Sequence, residues 1–256
     1  MRLFRPASLL VCSLLIPGSV AAQPPPRRDP QAVQLLTQAH AAMGGLRLPS
    51  ITDVRAQGTL ASRSRPDVVI GTFVAKARHA DFSMDTIRNG EQKSYRVLNS
   101  EGSFRSKGKT KRLPPYNTSG LTLDFLPLFS RWTDFLNPTT AVRPVQTANL
   151  DGLPCYLIRV EAAEARQPIM RNNHGKVDVF LAVNTGLVVA IRFRATQGPY
   201  PTDQITIENR FADYQEFGGI LLPTTVTRYI DGKPMLILRL GTVQLNNGFS
   251  DADFKN

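Results

Sequence analysis

Val177-Asp178-Val179-Phe180-Leu181-Ala182, then Asn184-Thr185-Gly186, then Leu187-Val188-Val189-Ala190-Ile191-Arg192-Phe193-Arg194: this stretch reads as two β-strands joined by a tight turn. β-Branched and aromatic residues fill both runs and suit a pleated, half-buried surface. Asn and Gly between them tolerate the positive φ of a hairpin turn. The pattern continues to residue 246. After Gly198-Pro199-Tyr200-Pro201, a strand over 204–214 carries Ile205, Ile207 and Phe211 on one face, and Gly218-Gly219 turns the chain into 220–230. Asp231-Gly232 then leads to a last strand containing Met235-Leu236-Ile237-Leu238-Arg239-Leu240. Strands joined by such short turns make an antiparallel meander.

Within the meander, 187–191 and 235–238 are apolar at every position. A strand with one wet face alternates, so both faces are predicted to be covered here. Two arrangements satisfy this. Helices can cover one face and a neighbouring strand or loop the other, or a concave face can hold an apolar ligand.

Residues 1–22 have the three parts of a secretory signal: basic Arg2 and Arg5, an apolar core over 7–16, and Val20-Ala21-Ala22 before a cleavage point at Gln23. Cys12 follows Val11, not the Gly or Ala of a lipid-acceptor site. No later run approaches the roughly 20 apolar residues of a membrane span. The expectation is a soluble periplasmic protein, with a tether over 23–29 and one domain over 30–256. Past the leader the only cysteine is Cys155, so the fold must be held by its core rather than by an internal disulfide. The chain has 31 Lys and Arg against 20 Asp and Glu, a net charge of +11. Outside the cytosol such a balance points to anionic lipid, an envelope polyanion or an acidic protein rather than nucleic acid.

Asp29-Pro30 supplies an N-cap followed by Pro at the first helical position, and Gly44-Gly45 a stop, which predicts a helix over 30–43. Its apolar face is Ala32, Leu35, Leu36, Ala39 and Met43. Period-two strands follow over 51–98, with turns at Asn89-Gly90 and 99–102. Near Phe104, Arg105, Lys107, Lys109 and Lys111 recur every second residue. On one extended strand all four would share a side. That row either guards an edge strand against aggregation or docks the protein on an anionic surface. Over 121–136 the β pattern breaks: Phe125, Leu128, Phe129, Trp132, Phe135 and Leu136 recur at three and four, which predicts a helix after Pro127 that Asn137-Pro138 ends. Further strands are predicted over 142–148 and 155–162, and 164–175 has no pattern.

The elements together predict a mainly antiparallel α+β fold, a strongly curved sheet with an N-terminal helix and a mid-chain helical segment over its concave side. The opening Ala32-x-x-Leu35-Leu36 to Gly44-Gly45, the turn Asn184-Thr185-Gly186-Leu187, and the ending Phe211-Ala212-Asp213-Tyr214, Gly219-Ile220-Leu221-Leu222-Pro223, Asn246 and Phe254 resemble the bacterial outer-membrane lipoprotein-sorting (LolA-like) proteins. The resemblance spans most of the chain after the leader. It implies an unclosed β-barrel with helices as a lid, and a periplasmic carrier of acyl chains.

The sequence holds no His-Glu-x-x-His, paired-Cys, Gly-x-Ser-x-Gly or phosphate-loop motif. Ser106-x-x-Lys109 lacks the companion motifs of acylating enzymes, and His40, His79 and His174 show no ligand spacing. The expectation is a non-catalytic monomer without cofactor or metal. It would bind a lipid or acylated lipoprotein among Phe125, Phe129, Trp132, Phe180, Phe193 and Phe211. Through Arg105, Lys107, Lys109 and Lys111 it would touch an anionic membrane or acidic envelope protein transiently. The alternative is an envelope regulator that uses the same fold to bind a signalling partner.

Overall fold

The computed structural model describes residues 27–62, 64–79, 81–114, 135–161, 175–196 and 203–255. Helix α1 (Pro30–Ala42) is followed by a 3₁₀ turn (Gly45–Ser50) and the strands β1 (Asp53–Ser62), β2 (Arg65–Arg78), β3 (Asp81–Arg88), β4 (Glu91–Leu98), β5 (Glu101–Ser106) and β6 (Lys109–Leu113). Then come β7 (Ala141–Val142), β8 (Gln146–Leu150), β9 (Leu153–Glu161), β10 (Lys176–Ala182), β11 (Val188–Thr196), β12 (Gln204–Phe217), β13 (Ile220–Ile230) and β14 (Lys233–Leu245). Among the described residues all strands belong to one sheet, ordered β6-β5-β4-β3-β2-β1-β14-β13-β12-β11-β10-β9-β7, with β8 also on β9. The sheet is curved and unclosed. Its N- and C-terminal halves meet where β1 pairs with β14, from Val54↔Leu245 to Ser62↔Leu236.

α1 forms as its punctuation predicts. The Asp29 carboxylate accepts from the Ala32 N–H at 2.9 Å, satisfying one of the unpaired donors of the first turn. Ala32, Leu36, Ala39 and Met43, spaced four, three and four, are fully buried on what we call the inner face of the sheet. Both ends of the helix are tied to strands: the Asp29 N–H donates to the Val142 carbonyl at 2.9 Å, and the Leu221 N–H to the Met43 carbonyl at 3.0 Å. The inner-face core beneath it joins Leu60, Phe73, Phe82 and Val97 to Ile158, Val179, Ile191 and Phe211. Among the described residues no helix is long and apolar enough to cross a membrane.

The outer face is held differently. Arg159 pairs with Asp178 at 2.7 Å, Arg143 with Glu161 at 2.8 Å, and Glu208 with both Arg192 and Arg210 at 2.6 Å. Such cross-strand pairs fix register more than they add stability. Residues 246–255 form a strap there. Lys76 binds Asp253 at 2.7 Å and Arg78 binds Asp251 at 2.6 Å. The same two cations lie over Phe249 and Phe254, 5.0 and 5.1 Å from the ring centroids.

Two expected strands are each divided. The basic stretch near Phe104 is a hairpin: Lys107 (φ 50°) and Gly108 (φ 73°) turn the chain between β5 and β6. Two consecutive left-handed residues match the twist of flanking strands. The expected strand over 142–148 breaks at Arg143-Pro144-Val145 into β7 and β8, both paired with β9, because Pro144 has no N–H for the ladder. Of the expected helix after Pro127, only Phe135 and Leu136 lie among the described residues; they are helical, and Phe135 is buried in the inner-face core. The leader and the 164–174 loop lie outside the described residues.

Candidate apolar ligand site

The inner face is closely packed under α1 and opens along the helix flank. α1 presents Leu35, Gln38 and Ala42 toward β9, β10 and the 184–186 turn, and a cleft of about 350 Å³ lies between them, bounded by Tyr156, Leu181, Val183, Thr185 and Gly186. Helical spacing produces this division: Leu36, Ala39 and Met43 face the sheet, while Leu35 and Ala42 fall one position to the side. Leu181 is buried, Tyr156 and Leu35 are half-buried, and Val183 is exposed. The volume falls at the lower end of the range for small-molecule sites, ~300–1,000 Å³. Polar and apolar surface line the cleft about equally, with Gln38, Tyr156 and Thr185 as polar side chains able to orient a ligand.

Polar side chains also sit on the inner face itself. Asn209 is fully buried and opposes Arg228, which in turn opposes Leu236. Paired residues share a face, so Arg228 stands in the apolar lining. It is in phase with Leu222 and Val226, and that period-two signal was available in the sequence. Tyr214 donates its hydroxyl to the Val188 carbonyl; burial holds its phenol protonated far above the usual tyrosine range.

Phe193 and Phe211, 3% and 4% exposed, belong to the inner-face core with α1. Phe180 does not join them. Val177, Val179 and Leu181 take the inner face, so the alternation turns Phe180 outward into a separate cluster with Cys155 and Ala190. Its ring lies under the Arg192 guanidinium, 4.8 Å from the centroid. Phe125, Phe129 and Trp132 lie outside the described residues.

The four cations do not form one row. Arg105 opposes Thr110 on β5 and β6, Lys109 opposes Ser106, and Lys111 opposes Phe104. Lys109 and Lys111 therefore share the face of Phe104, whose ring meets Tyr95 at 4.7 Å, while Arg105 points to the other face and Lys107 sits in the turn. The two-residue spacing fails as a one-sided patch because the hairpin reverses the chain inside it.

Among the described residues no three His, Cys, Asp or Glu side chains gather as metal ligands. The Cys155 thiol is buried, and burial raises its pKa, which disfavours the nucleophilic thiolate.

No protein-family model matches the sequence, and no curated protein matches it significantly. Solved structures do match its fold. A putative outer-membrane lipoprotein-sorting protein domain from Vibrio parahaemolyticus superposes with a TM-score of 0.53 at 12% identity, over 88% of this chain and 96% of that one. A DUF1329-family protein from Desulfovibrio piger gives the same four values. A LolA-superfamily protein from Nitrosomonas europaea gives 0.50 and 10%, over 88% and 98%. At this identity the likeness concerns architecture: the chain has the unclosed β-barrel fold of the LolA-like lipoprotein-sorting domains.

Proposed function

We propose that the protein is a non-catalytic periplasmic carrier or binding protein for an acyl-bearing hydrophobic ligand, a lipid or an acylated lipoprotein. In this reading it is a single domain over 30–256, released by cleavage after Ala22. The observation that carries the proposal is the combination of an unclosed sheet, an apolar inner face and a cleft open along the flank of α1. The shared fold with lipoprotein-sorting domains supports it. Because α1 is hydrogen-bonded to the sheet at both ends, an acyl chain enters beside the helix, between Leu35 and Tyr156, with the helix as a fixed wall. Each methylene removed from water contributes ~0.8 kcal/mol, so a short inserted segment suffices for measurable affinity.

The test is displacement of a fluorescent fatty acid from delipidated protein. Leu35→Glu puts a carboxylate against the apolar wall, and a buried unpaired charge is disfavoured; affinity should fall about tenfold or more, equivalent to ~1.4 kcal/mol. Leu46→Glu, at an almost fully exposed position outside the cleft, should leave it unchanged. Equal affinities for Leu35→Glu and wild type would remove the cleft from the proposal. N-terminal sequencing of protein from the periplasm should begin at Gln23; a lipidated start at Cys12 would contradict the soluble carrier.

A further inference from the structure

Four of the six conspicuously exposed large apolar side chains among the described residues, Val68, Val69, Ile87 and Met235, are 43–57% exposed and lie at one end of the sheet. There the β1–β2, β3–β4, β5–β6 and β13–β14 hairpins all turn. Ser62 is paired with both Arg65 and Leu236, and Gly71 with Arg88. Three of the four share the outer face. Val69 opposes Ala61, which follows inner-face Leu60; Ile87 opposes Thr72, which precedes inner-face Phe73; and Met235 precedes inner-face Leu236.

Exposed cations surround them. Arg65, Arg88, Lys107, Lys109 and Lys233 stand on the tips, and Arg105 lines a cleft of about 560 Å³ between the 89–90 and 107–108 turns. None of these six forms an ion pair among the described residues. The acids at this end among the described residues include Asp67, Glu91, Asp203 and Asp231. Glu91 accepts from the Ser106 hydroxyl at 2.9 Å and pairs with Lys93 at 3.4 Å, and Asp231 accepts from the Thr206 N–H at 2.8 Å. What remains is a cationic rim around separate apolar knobs.

We infer that this hairpin-tip end docks on an anionic bilayer, with Val69, Ile87 and Met235 entering the headgroup region while the surrounding arginines and lysines engage lipid phosphates. A lipid surface fits better than a protein groove: the knobs are spread over three hairpins with cations between them, the composition of interfacial membrane contacts. The inference goes beyond the carrier reading and is separable from it, because the cleft beside α1 lies by the 184–186 turn at the opposite end.

The test is co-sedimentation of the mature protein with vesicles of phosphatidylcholine alone or half phosphatidylglycerol. Wild type should bind the anionic vesicles and leave the neutral ones. Combined Arg65→Gln, Arg88→Gln and Lys107→Gln should weaken binding about fivefold per cation at low salt. Combined Val69→Ser, Ile87→Ser and Met235→Ser, with every charge kept, should weaken it about tenfold or more. Binding of the serine variant equal to wild type would overturn the apolar part, and no binding of wild type would overturn the whole. A second readout does not depend on the triple variants folding. A polarity-sensitive dye on Ile87→Cys should shift to the blue with anionic vesicles, while one on Leu46→Cys, exposed at the opposite end and outside the cleft, should not. Labelling is confined to the new thiol because Cys155 is buried. Equal responses at the two sites, or one only at Leu46, would contradict the docking end.

Discussion

Gly58→Ala is expected to lower stability by about 3 kcal/mol, the upper part of the usual range for overpacking, and to do so by prising β1 from β14. A Cβ on Gly58 would stand 1.9 Å from the Arg239 carbonyl oxygen and 2.8 Å from its carbon. Those are backbone atoms of the facing strand, so no rotamer change relieves the clash. The site is the register shift between Gln57 and Gly58, where close approach of two chains calls for glycine. This seam is what makes the two halves one sheet. Gly241→Ala is the control, since its nearest neighbour would be 3.7 Å away; it should stay within about 0.5 kcal/mol. Urea unfolding reads both. A Gly58→Ala midpoint equal to wild type would show that the seam is looser than described.

Asp53→Ala is expected to cost about 2–3 kcal/mol and to free the C-terminal strap. The carboxylate is 3% exposed. It accepts from the Asn247 N–H at 2.6 Å, the Asn247 side-chain amide at 3.0 Å, and the N–H groups of Gly248 and Phe249 at 2.9 and 3.4 Å. Bonds to a charged acceptor are the stronger kind, and removing it strands buried donors. Burial alone would raise the pKa of Asp53, but these donors outweigh it and hold the carboxyl below its ordinary 3.8. Asp251 and Asp253 are lowered too, chiefly by hydrogen bonds from Arg78 and Lys76. A carboxyl depressed on folding contributes stability that is present above its unfolded pKa and lost as pH falls through the folded one. The strap should therefore hold at neutral pH and weaken only below about pH 4, more steeply in wild type than in Asp53→Ala. Melting temperature between pH 2.5 and 6, with proteolysis of the tail as second probe, checks this. Identical pH profiles for the two proteins would contradict the role of Asp53.

The meander was legible because each turn carries its own chemistry. Gly186, Gly218, Gly219, Asp231 and Gly232 all adopt the positive φ that such residues predict, and α1 is bounded by Asp29-Pro30 and Gly44-Gly45 as its caps require. The β5–β6 turn leaves no mark in the sequence, because a lysine at φ 50° gives no signal of its own and Gly108 stands alone in a charged run. Phe180 is expected among the ligand-binding aromatics, whereas strand phase, set by Val177, Val179 and Leu181, turns it to the outer face. Phase also places Arg228 on the inner face. The uniformly apolar runs predict cover on both faces. On β10 and β11 the outer residues do form a second small core around Cys155, Phe180 and Ala190. On β14 Met235 remains half exposed, which the hairpin-tip docking surface explains. The α1 flank cleft was outside the reach of sequence reading, since it depends on how three elements distant in the chain come together.

The most direct test of an acyl-binding cleft beside α1 is photo-crosslinking of the delipidated protein with a fatty acid carrying a diazirine near its methyl end, followed by peptide mapping. Adducts should fall on Leu35–Ala42 of α1 and around Tyr156 and Leu181, and an excess of unlabelled fatty acid should abolish them. Adducts confined to the outer face, or a pattern that unlabelled fatty acid does not compete away, would contradict the account.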